Sequence, residues 1–582
     1  MVPADEQMIK GKITKQGGHE KFSIAVREGL MAAWTGYVVH AELCAAVAKL
    51  PGPSMAEKKA WETHGRGEFL QTLRKHNQRT LPQEPIVCKV QSIDLHGCVS
   101  DAEVDALAQV LSNVTGALKV LNLQQSSIGK EGAVALGEGL KASSTLAECN
   151  LRSSLDIQSA QALAEIAKQK RILMSGIRHN QARASFRRDR CLGPADAILV
   201  ASDLAVSESL TSVDICACNI GSEGADAIAE ALGRSQAVTE CNLRGNNLDI
   251  QSAMLLAKVG TERRIMLSGL KHDQTEADLS EQSLQPCDAV LLASDLAVNG
   301  TVATLGLEDF VRLAVNGSLM KLSLESNELG PAGGKAIAEA LRVHGTLREL
   351  NLADNKLGPK GAHSISEALK VNRTLTELNL ADNKLGWQGA KAIADALTMN
   401  DDLTELNNDV LTELHLDSNQ LGRQGAEAVA EVLCVSDSLK KLSLWDNRID
   451  PEGAAAIAEA LKVNSALQYL WLSENSVGNA GSIAIAEALQ VNSSLRVLSL
   501  FDNQVGEDGA VAIGKALITS SLKSLDLQWN AIGEHGGLAL AESLRAGALT
   551  ALNVENSNLD DDAVQLLRDA VRARGEFKLD AL

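Results

Sequence analysis

Aromatic residues are scarce in this sequence. Among 582 residues there are six Trp, two Tyr and six Phe, about 2% of the chain. Hydrophobic residues nevertheless make up 45% of it, enough for a large core. That core must consist mainly of Leu, Ile, Val and Ala, because there are too few rings to fill it. A cluster among the few aromatic residues would therefore point to a role other than core packing.

Paired cysteines are also missing. The ten Cys follow no disulfide framework, and Cys216 and Cys218 are too close together for the usual zinc-binding pair. We therefore expect reduced thiols and an intracellular, most simply cytoplasmic, protein. The N-terminal residues MVPADEQMIK lack the pattern of a secretory signal. The most apolar stretch, residues 29–50, contains His40, Glu42 and Lys49, which favours a buried or docking helix over a membrane span.

An excess of positive charge is absent, since the formal net charge is −19. This balance argues against a nucleic-acid-binding protein as a whole and leaves room for a basic protein partner.

Catalytic motifs are absent as well. The segment GPAGGKAIAEAL at residues 330–341 contains Gly-Lys, but Ala336 follows where a phosphate-binding loop needs Ser or Thr. Neither His-Glu-x-x-His nor Gly-x-Ser-x-Gly occurs, and His415 is interpreted as a surface residue on a strand. We expect no catalytic residues, no cofactor and no metal, and hence no enzyme.

What the sequence does contain is a repeat. LRELNLADNKLGPKGAHSISEALKVNRT, residues 347–374, is followed by LTELNLADNKLGWQGAKAIADALTMNDD, residues 375–402. The step is 28 or 27 residues, apart from one step of 36 that reflects eight added residues before Leu411. One Asn recurs in each unit, and Ser557 takes the last place; the Asn positions are 327, 355, 383, 419, 447, 475, 503 and 530.

Each unit combines two hydrophobic periods. The LxxLxL half alternates, which predicts a short strand, and the GAKAIADAL half has helical spacing. One unit cannot bury its own apolar face, but stacked units share a continuous core. The recurring Asn is predicted to be buried and to bond the loop backbone of adjoining units. Cys149 and Cys241 occupy buried Leu positions, and Cys98 and Cys218 occupy the Asn position, which favours structural thiols.

The motif Lxx LxLxxN xLGxxGAxAIAEAL resembles the leucine-rich repeat family, specifically its long-repeat, ribonuclease-inhibitor-like subtype. It also resembles the repeat region of NACHT-type immune receptors, without their nucleotide-binding domain. The resemblance extends from about Val90 to about Arg574. It implies an α/β fold, a right-handed β/α horseshoe solenoid with a parallel inner sheet and outer helices, which binds partners on its concave face.

Three regions are predicted along the chain. Residues 1–85 do not fit the repeat and are expected to form a helical N-terminal segment that caps the solenoid or docks it elsewhere. Residues 86–323 hold degenerate repeats, including a copy of a block at an offset of 92 or 93 residues. Residues 324–582 hold the regular repeats and a C-terminal cap.

The two copies of the duplicated block differ in charge. The segment 168–190 holds eight basic residues against Asp189 alone, whereas its counterpart 261–282 is mixed. A solvated surface that drifts freely is one interpretation; the other is a basic docking patch for an acidic partner, a membrane surface or nucleic acid. The absence of interleaved aromatic residues weakens the nucleic-acid version. The candidate patch comprises Arg171, Arg178, Arg183, Arg187, Arg188 and Arg190.

The aromatic residues do form a cluster in the regular repeats. Residues that flank the strand Leu pair point to the concave face, and equivalent positions form ladders across neighbouring strands. Five of the fourteen aromatics fall on four adjoining strands of this face, with acids around them. Such a surface predicts a binding site for a partner with Lys or Arg side chains. The candidate partner-binding residues are Trp445, Asp446, Tyr469, Trp471, Glu474, Phe501, Asp502, Asp526 and Trp529.

Three functional interpretations follow. The first is a non-catalytic scaffold that binds a basic protein on the aromatic and acidic face. The second is a structural subunit of a large cytoskeletal, ciliary or organellar complex. The third, least supported, is a GTPase-activating protein, because the activators of the small transport GTPase resemble this repeat subtype. Those activators use an Arg and a long acidic tail, whereas this sequence ends in EFKLDAL and offers no matching Arg.

Overall fold

A computed structural model describes residues 86–88, 92–116, 118–187, 192–299, 318–398, 410–572, 574 and 577–581. The predicted N-terminal segment 1–85 lies outside the described residues, as do Arg188 and Arg190. The chain divides into two compact units between Gly269 and Leu270, which we call unit 1 and unit 2. None of the helices in the described ranges is long and apolar enough to cross a membrane.

One repeat of unit 2 shows how the sequence sets the local structure. In the strand Glu349–Asn351 the central Leu350 is buried, while its two neighbours are half-exposed. Gly358 adopts φ +60°, a left-handed conformation that suits glycine, and opens the helix Gly358–Leu369. That helix buries Ala362, Ile365 and Leu369, which recur at helical spacing. The predicted strand and helix halves of the unit are therefore both confirmed.

Unit 1 contains short strands that alternate with helices. Its strands are β1 (Ile86–Cys88), β2 (Ser92–Asp94), β3 (Val114–Gly116), β4 (Val120–Asn122), β5 (Glu148–Asn150), β6 (Arg183–Ser185), β7 (Ser212–Asp214) and β8 (Glu240–Asn242). Its helices are α1 (Asp101–Asn113), α2 (Lys130–Ala142), α3 (Ile157–Lys170), α4 (Pro194–Val206), α5 (Gly221–Arg234) and α6 (Ile250–Arg263). The strands pair in parallel, in the orders β1-β3, β2-β4-β5 and β6-β7-β8.

Unit 2 contains one parallel sheet of eleven strands in sequence order. The strands are β9 (Glu276–Asp278), β10 (Lys321–Ser323), β11 (Glu349–Asn351), β12 (Glu377–Asn379), β13 (Glu413–His415), β14 (Lys441–Ser443), β15 (Tyr469–Trp471), β16 (Val497–Ser499), β17 (Ser524–Asp526), β18 (Ala551–Asn553) and β19 (Lys578–Asp580). The helices are α7 (Pro286–Asn299), α8 (Gly330–Leu341), α9 (Gly358–Leu369), α10 (Gly386–Thr398), α11 (Gly422–Val435), α12 (Pro451–Val463), α13 (Gly478–Val491), α14 (Glu507–Leu517), α15 (Gly533–Ala546) and α16 (Asp561–Val571). Successive helices pack against one another, so the predicted α/β solenoid with a parallel sheet is confirmed.

The recurring Asn of each repeat links neighbouring repeats, as predicted. Asn447 is fully buried, and its Nδ2 donates to the carbonyl oxygens of Leu416, 2.8 Å away in the preceding repeat, and Trp445. Its Oδ1 accepts the backbone N–H of Asn419 at 2.9 Å. Ser557 continues this pattern with its hydroxyl, which donates to the carbonyl of Leu527 at 2.8 Å. Each amide thus satisfies loop groups that would otherwise be buried without partners.

The cysteines occupy the structural positions that were predicted. Cys149 and Cys241 are fully buried on β5 and β8, and Cys218 is 2% exposed. The Cys218 thiol donates to the carbonyl of Phe186 in the preceding repeat, in the manner of the Asn that it replaces. Burial raises the pKa of the Cys149 thiol to about 12, which makes it an unreactive core residue.

The residues added to a degenerate repeat of unit 1 extend its sheet. Leu173 forms a parallel bridge with Glu148. The buried carboxylate of Asp203 on α4 accepts the backbone N–H groups of Met174 and Ser175, at 2.6 and 2.8 Å, and the Ser175 hydroxyl at 2.6 Å. Burial raises the pKa of Asp203 to about 7, against the effect of these three donors. The repeat pattern assigned no role to Asp203, because the contact joins a helix to a segment outside the motif.

Candidate functional site

The candidate site lies on one side of the sheet in unit 2. Along β10 to β18 the central Leu is buried towards the helices, and the residues on either side of it point the other way, as Lys441 and Ser443 do around Leu442. We call this second side the open face. It corresponds to the surface that the sequence predicted as concave.

We call the five aromatic residues that the sequence assigned to this face the aromatic patch. Two lie on β15 and three in the turns after β14, β16 and β17: Tyr469, Trp471, Trp445, Phe501 and Trp529. Trp445 and Trp529 are 40% and 56% exposed, and the other three are half-buried. Tyr469 and Trp471 stack with their ring centroids 5.9 Å apart and 19° between the ring planes. Among the described residues, no ring contact joins the other three to this pair. The patch therefore presents one stacked pair on β15 and three separate rings in the turns of neighbouring repeats, rather than a single packed cluster.

The register of the strands explains why a large side chain fits in the middle of the patch. Trp471 stands directly between Ser443 on β14 and Ser499 on β16. Both serines are buried, at 7% and 6% exposure, and their small side chains leave space for the indole. Asp417 accepts the backbone N–H of Trp445 at 2.8 Å, which fixes the chain where the next indole leaves the sheet.

Three of the predicted acids share an unusual backbone conformation. Asp446, Glu474 and Asp502 have φ values of +48°, +51° and +47°, which place them in the left-handed region. Asp354 occupies the equivalent position of an earlier repeat and has the same conformation, with φ +50°. Asp tolerates this conformation better than most residues, so these carboxylates serve the turn as well as the surface.

Trp529 occupies the same left-handed position in its own repeat, with φ +58°. A bulky side chain is a genuine outlier there, because its Cβ crowds the backbone. The indole is also 56% exposed, so core packing does not explain the choice of residue. Strain of this kind accumulates at functional sites, which makes Trp529 the most informative member of the aromatic patch.

Asp526 differs from the other predicted acids. It is half-buried on β17, and its carboxylate accepts the backbone N–H of Gln528 at 3.0 Å. Burial raises the pKa of this carboxyl, and the nearby carboxylates of Asp580 and Glu555 raise it further. The side chain is thus held in the sheet beside Trp529 rather than extended into solvent.

Sequence reasoning missed a group of charged residues on the strands before the patch. Glu413 lies between Lys441, whose Nζ is 2.6 Å from its Oε2, and His415, whose Nε2 is 2.9 Å from its Oε1. Burial favours the neutral form of Glu413, but Lys441 and His415 lower its pKa overall. Asp417 and Glu413 raise the pKa of His415; the Asp417 contact is an ion pair at 3.8 Å rather than a hydrogen bond. His415, expected to be a plain surface residue, is therefore fixed between two carboxylates.

Lys441 also connects this charged group to the aromatic patch. Its Nζ lies 6.0 Å from the centroid of the Tyr469 ring, within reach of a cation–π interaction. The register pairs Lys441 with Tyr469 directly across β14 and β15. The signal that could have revealed the group was the run of charged residues at the first position of successive strands.

The predicted basic docking patch lies in unit 1. Arg171 ends α3 in a left-handed conformation and forms an ion pair with Glu208, so its charge is partly matched. Arg178, Arg183 and Arg187 are exposed. With Arg188 and Arg190 outside the described residues, the patch remains a prediction.

Comparison with known proteins identifies the repeats. A family profile described as "Leucine Rich repeat" matches eight segments, at residues 206–229, 315–338, 345–366, 371–394, 407–430, 435–458, 491–514 and 520–541. The chain is a leucine-rich repeat protein. These segments contain strands and helices of both units, whereas β15 and the elements before residue 206 lie outside them. The ribonuclease-inhibitor-like subtype remains a prediction. No curated protein was found to match the sequence.

Three solved structures are similar to parts of this leucine-rich repeat protein. Leiomodin-1 actin-binding site 2 matches with 29% identity and a TM-score of 0.17, over 19% of this chain and 60% of that chain. The tropomodulin C-terminal domain from Caenorhabditis elegans matches with 18% identity and a TM-score of 0.23, over 27% and 90%. The Rad7 and Elc1 complex in yeast matches with 12% identity and a TM-score of 0.31, over 73% and 88%. The chain thus spans less than two thirds of the leiomodin-1 structure.

Leucine-rich repeats indicate a protein-interaction scaffold, because stacked repeats present an extended surface to other proteins. Such repeats are typical of proteins without catalytic activity. Both statements agree with the expectation from the sequence.

Proposed function

We propose that this leucine-rich repeat protein is a non-catalytic scaffold that binds a basic protein partner on the open face of unit 2. The aromatic patch would supply the contact area, and Asp446, Glu474, Asp502 and Asp526 would attract Lys or Arg side chains of the partner. We further propose that it works inside the cell, because its buried Cys149 and exposed Cys434 are thiols typical of a reducing compartment.

The observation that carries this proposal is the exposure of two indoles on one face. Trp445 and Trp529 leave 40% and 56% of their surface in water, in a chain with six Trp. Exposing large apolar side chains and holding Trp529 in a left-handed conformation both cost free energy. Binding recovers that cost, because Trp is among the residues that contribute most to protein interfaces.

The charge around the patch supports a basic partner. Asp446, Glu474 and Asp502 lie at equivalent left-handed positions of three successive repeats. Lys441 supports the same view, because its ammonium group already lies against the Tyr469 ring. A partner's Lys or Arg side chain would find aromatic faces and carboxylates together, which favours cation–π and ion-pair contacts.

The test removes rings from the patch and follows a single identified partner. Proteins captured by the full chain are identified, and binding of the main partner is then measured with purified components. We expect the double variant Trp445→Ala, Trp471→Ala to bind at least about tenfold more weakly, as loss of central aromatic residues does at other interfaces.

The matched control is Trp387→Ala. Trp387 is 44% exposed but lies at the start of α10, on the helix side of the repeat. This variant removes the same type of side chain at a comparable exposure without touching the open face. Equal affinity of the wild type and the double variant, with circular dichroism unchanged, would overturn the proposal.

A further inference from the structure

Two neighbouring strands of unit 2 bring two carboxylates and an imidazole together on the open face. Glu377 on β12 pairs in register with Glu413 on β13. His415 follows Glu413 by two residues, so its side chain points to the same face. One ligand atom from each of these three residues lies within 4.8 Å of the other two.

The first residues of successive strands form a ladder of charged side chains across the sheet. The carboxylates on either side of Glu377 are paired with Lys side chains, but that of Glu377 is not. Glu349 on β11 pairs with Lys321 at 2.8 Å, and Glu413 pairs with Lys441 at 2.6 Å. Within the described part of the chain, the Glu377 carboxylate has neither a hydrogen bond nor an ion pair. It pairs in register with Glu349 on one side and with Glu413 on the other. A half-buried carboxylate between two others calls for a cation that these residues do not supply.

The geometry is close to what a zinc ion needs. Ligand atoms about 2.1 Å from tetrahedral zinc lie about 3.4 Å from one another. The Nε2 of His415 and the Oε1 of Glu413 are 2.9 Å apart, and a small side-chain adjustment would bring Glu377 to a similar distance from both. Lys441 contacts the other oxygen of Glu413, Oε2, and so does not occupy Oε1, whose contact with His415 Nε2 a bound metal would replace.

A supporting carboxylate stands behind the imidazole. Asp417 Oδ2 is 3.8 Å from His415 Nδ1, the ring nitrogen that would not bind the metal. Histidine ligands commonly direct this second nitrogen to a carboxylate, which orients the ring and increases its basicity. Asp417 is itself held by the backbone N–H of Trp445 at 2.8 Å and by the Ser443 hydroxyl.

We propose that Glu377, Glu413 and His415 bind a divalent transition-metal ion, with Zn²⁺ as the best fit. A basic side chain from a partner would also neutralise Glu377. The imidazole favours the metal, because the Nε2 lone pair of a neutral imidazole is a ligand for zinc, whereas neutralising the two carboxylates with a Lys or Arg side chain would need no imidazole. Three protein ligands leave a further coordination position for water or a side chain of a bound protein.

The experiment measures zinc binding by the full chain after dialysis against a chelator. Titration calorimetry with ZnCl₂ gives the stoichiometry, and Co²⁺ as a substitute gives a visible absorption spectrum for the site. We expect the variants Glu377→Gln and His415→Gln to lose one bound ion per chain, or to bind it at least about tenfold more weakly.

The matched control is Glu349→Gln, which removes a carboxylate from the same ladder one strand away. It should keep the wild-type stoichiometry, and zinc should raise the melting temperature of this variant and the wild type but not of the two ligand variants. Any zinc bound by other His and Cys residues is the same in all four proteins. The proposed site is therefore measured by the difference between the wild type and the two ligand variants. Equal stoichiometry with equal affinity in all four, or no zinc binding by the wild type, would overturn the proposal.

Discussion

At the scale of single residues, backbone conformation separates the two roles that a repeat position can have. The position directly before the recurring Asn is left-handed in repeat after repeat, and Asp446 and Asp502 occupy it at little cost in free energy. Trp529 fills the same position at a higher cost and exposes its ring. The fold prefers a small polar residue there, so the indole is explained by the surface rather than by the turn.

This contrast predicts a trade between stability and binding at Trp529. Replacing it by Asp, as in the neighbouring repeat at Asp502, should stabilise the protein by about 1 kcal/mol, because the left-handed strain is relieved. The midpoint of urea unfolding measures this change. The same variant should bind the partner more weakly. A lower unfolding midpoint would show instead that the Trp529 ring contributes packing that the strain does not outweigh.

The residues of the patch could be predicted from the sequence, and their conformations could not. The 28-residue step places Trp445 and Trp471 next to buried Leu positions, so alternation indicates their face. Trp529 lies two residues after Leu527, in the turn, where alternation no longer applies. The sign of φ at Trp529 does not follow, because the sequence motif does not reveal a left-handed turn at a position that varies among Asp, Glu and Ser. The Tyr469–Trp471 stacking likewise depends on side-chain rotamers.

At the scale of elements, strand register determines which side chains of different repeats become neighbours, and the sequence alone does not show this. Glu377 and Glu413 belong to repeats separated by the irregular step of 36 residues, yet they pair directly. The repeat alignment shows both at one edge of the sheet, but their proximity to His415 depends on side-chain positions. Asp203 is a further case, since its contacts with Met174 and Ser175 join α4 to a segment that departs from the motif.

The connections from helix to strand also follow a pattern, in which His344 takes the place of an Asn. In later repeats an Asn ends the helix, and the Oδ1 of Asn372 accepts the backbone N–H of Leu375 at 2.9 Å. The Nδ1 of His344 accepts the N–H of Leu347 at 3.1 Å in the same way. His344 is 4% exposed, and its Nε2 has no hydrogen-bond partner within the described ranges. Burial lowers the pKa of His344 to about 4.

This connection predicts a loss of stability in mild acid. Unfolding restores an ordinary His pKa near 6.5, so between pH 6.5 and 4 the unfolded chain binds a proton that folded His344 does not. The free energy of unfolding should therefore fall as the pH decreases through this window, by about 3 kcal/mol from this group. His344→Asn keeps the acceptor and removes the titration.

The difference between wild type and His344→Asn, measured by urea unfolding at pH 7 and pH 4.5, isolates the group from the carboxylates that titrate in both proteins. The wild type should lose more stability than the variant over this interval. Parallel pH profiles for the two proteins would mean that the imidazole of His344 becomes protonated in the folded state at little cost.

At the scale of the whole molecule, the net charge of −19 acts on any basic partner before contact. Fields of this kind increase the rate of encounter more than the lifetime of a complex. The rings of the aromatic patch act at short range and should govern dissociation instead. The two contributions to the proposed interaction can therefore be separated by their dependence on salt.

We expect the association rate constant for the captured partner to fall by about tenfold between 20 mM and 500 mM NaCl, because added salt shortens the screening length from tens of ångströms to a few. The dissociation rate should change little. Stopped-flow mixing at several salt concentrations gives both rates. As a comparison, Trp445→Ala should raise the dissociation rate and leave the salt dependence of association intact. An association rate that does not respond to salt would show that the acids around the patch do not steer the partner, even if the rings bind it.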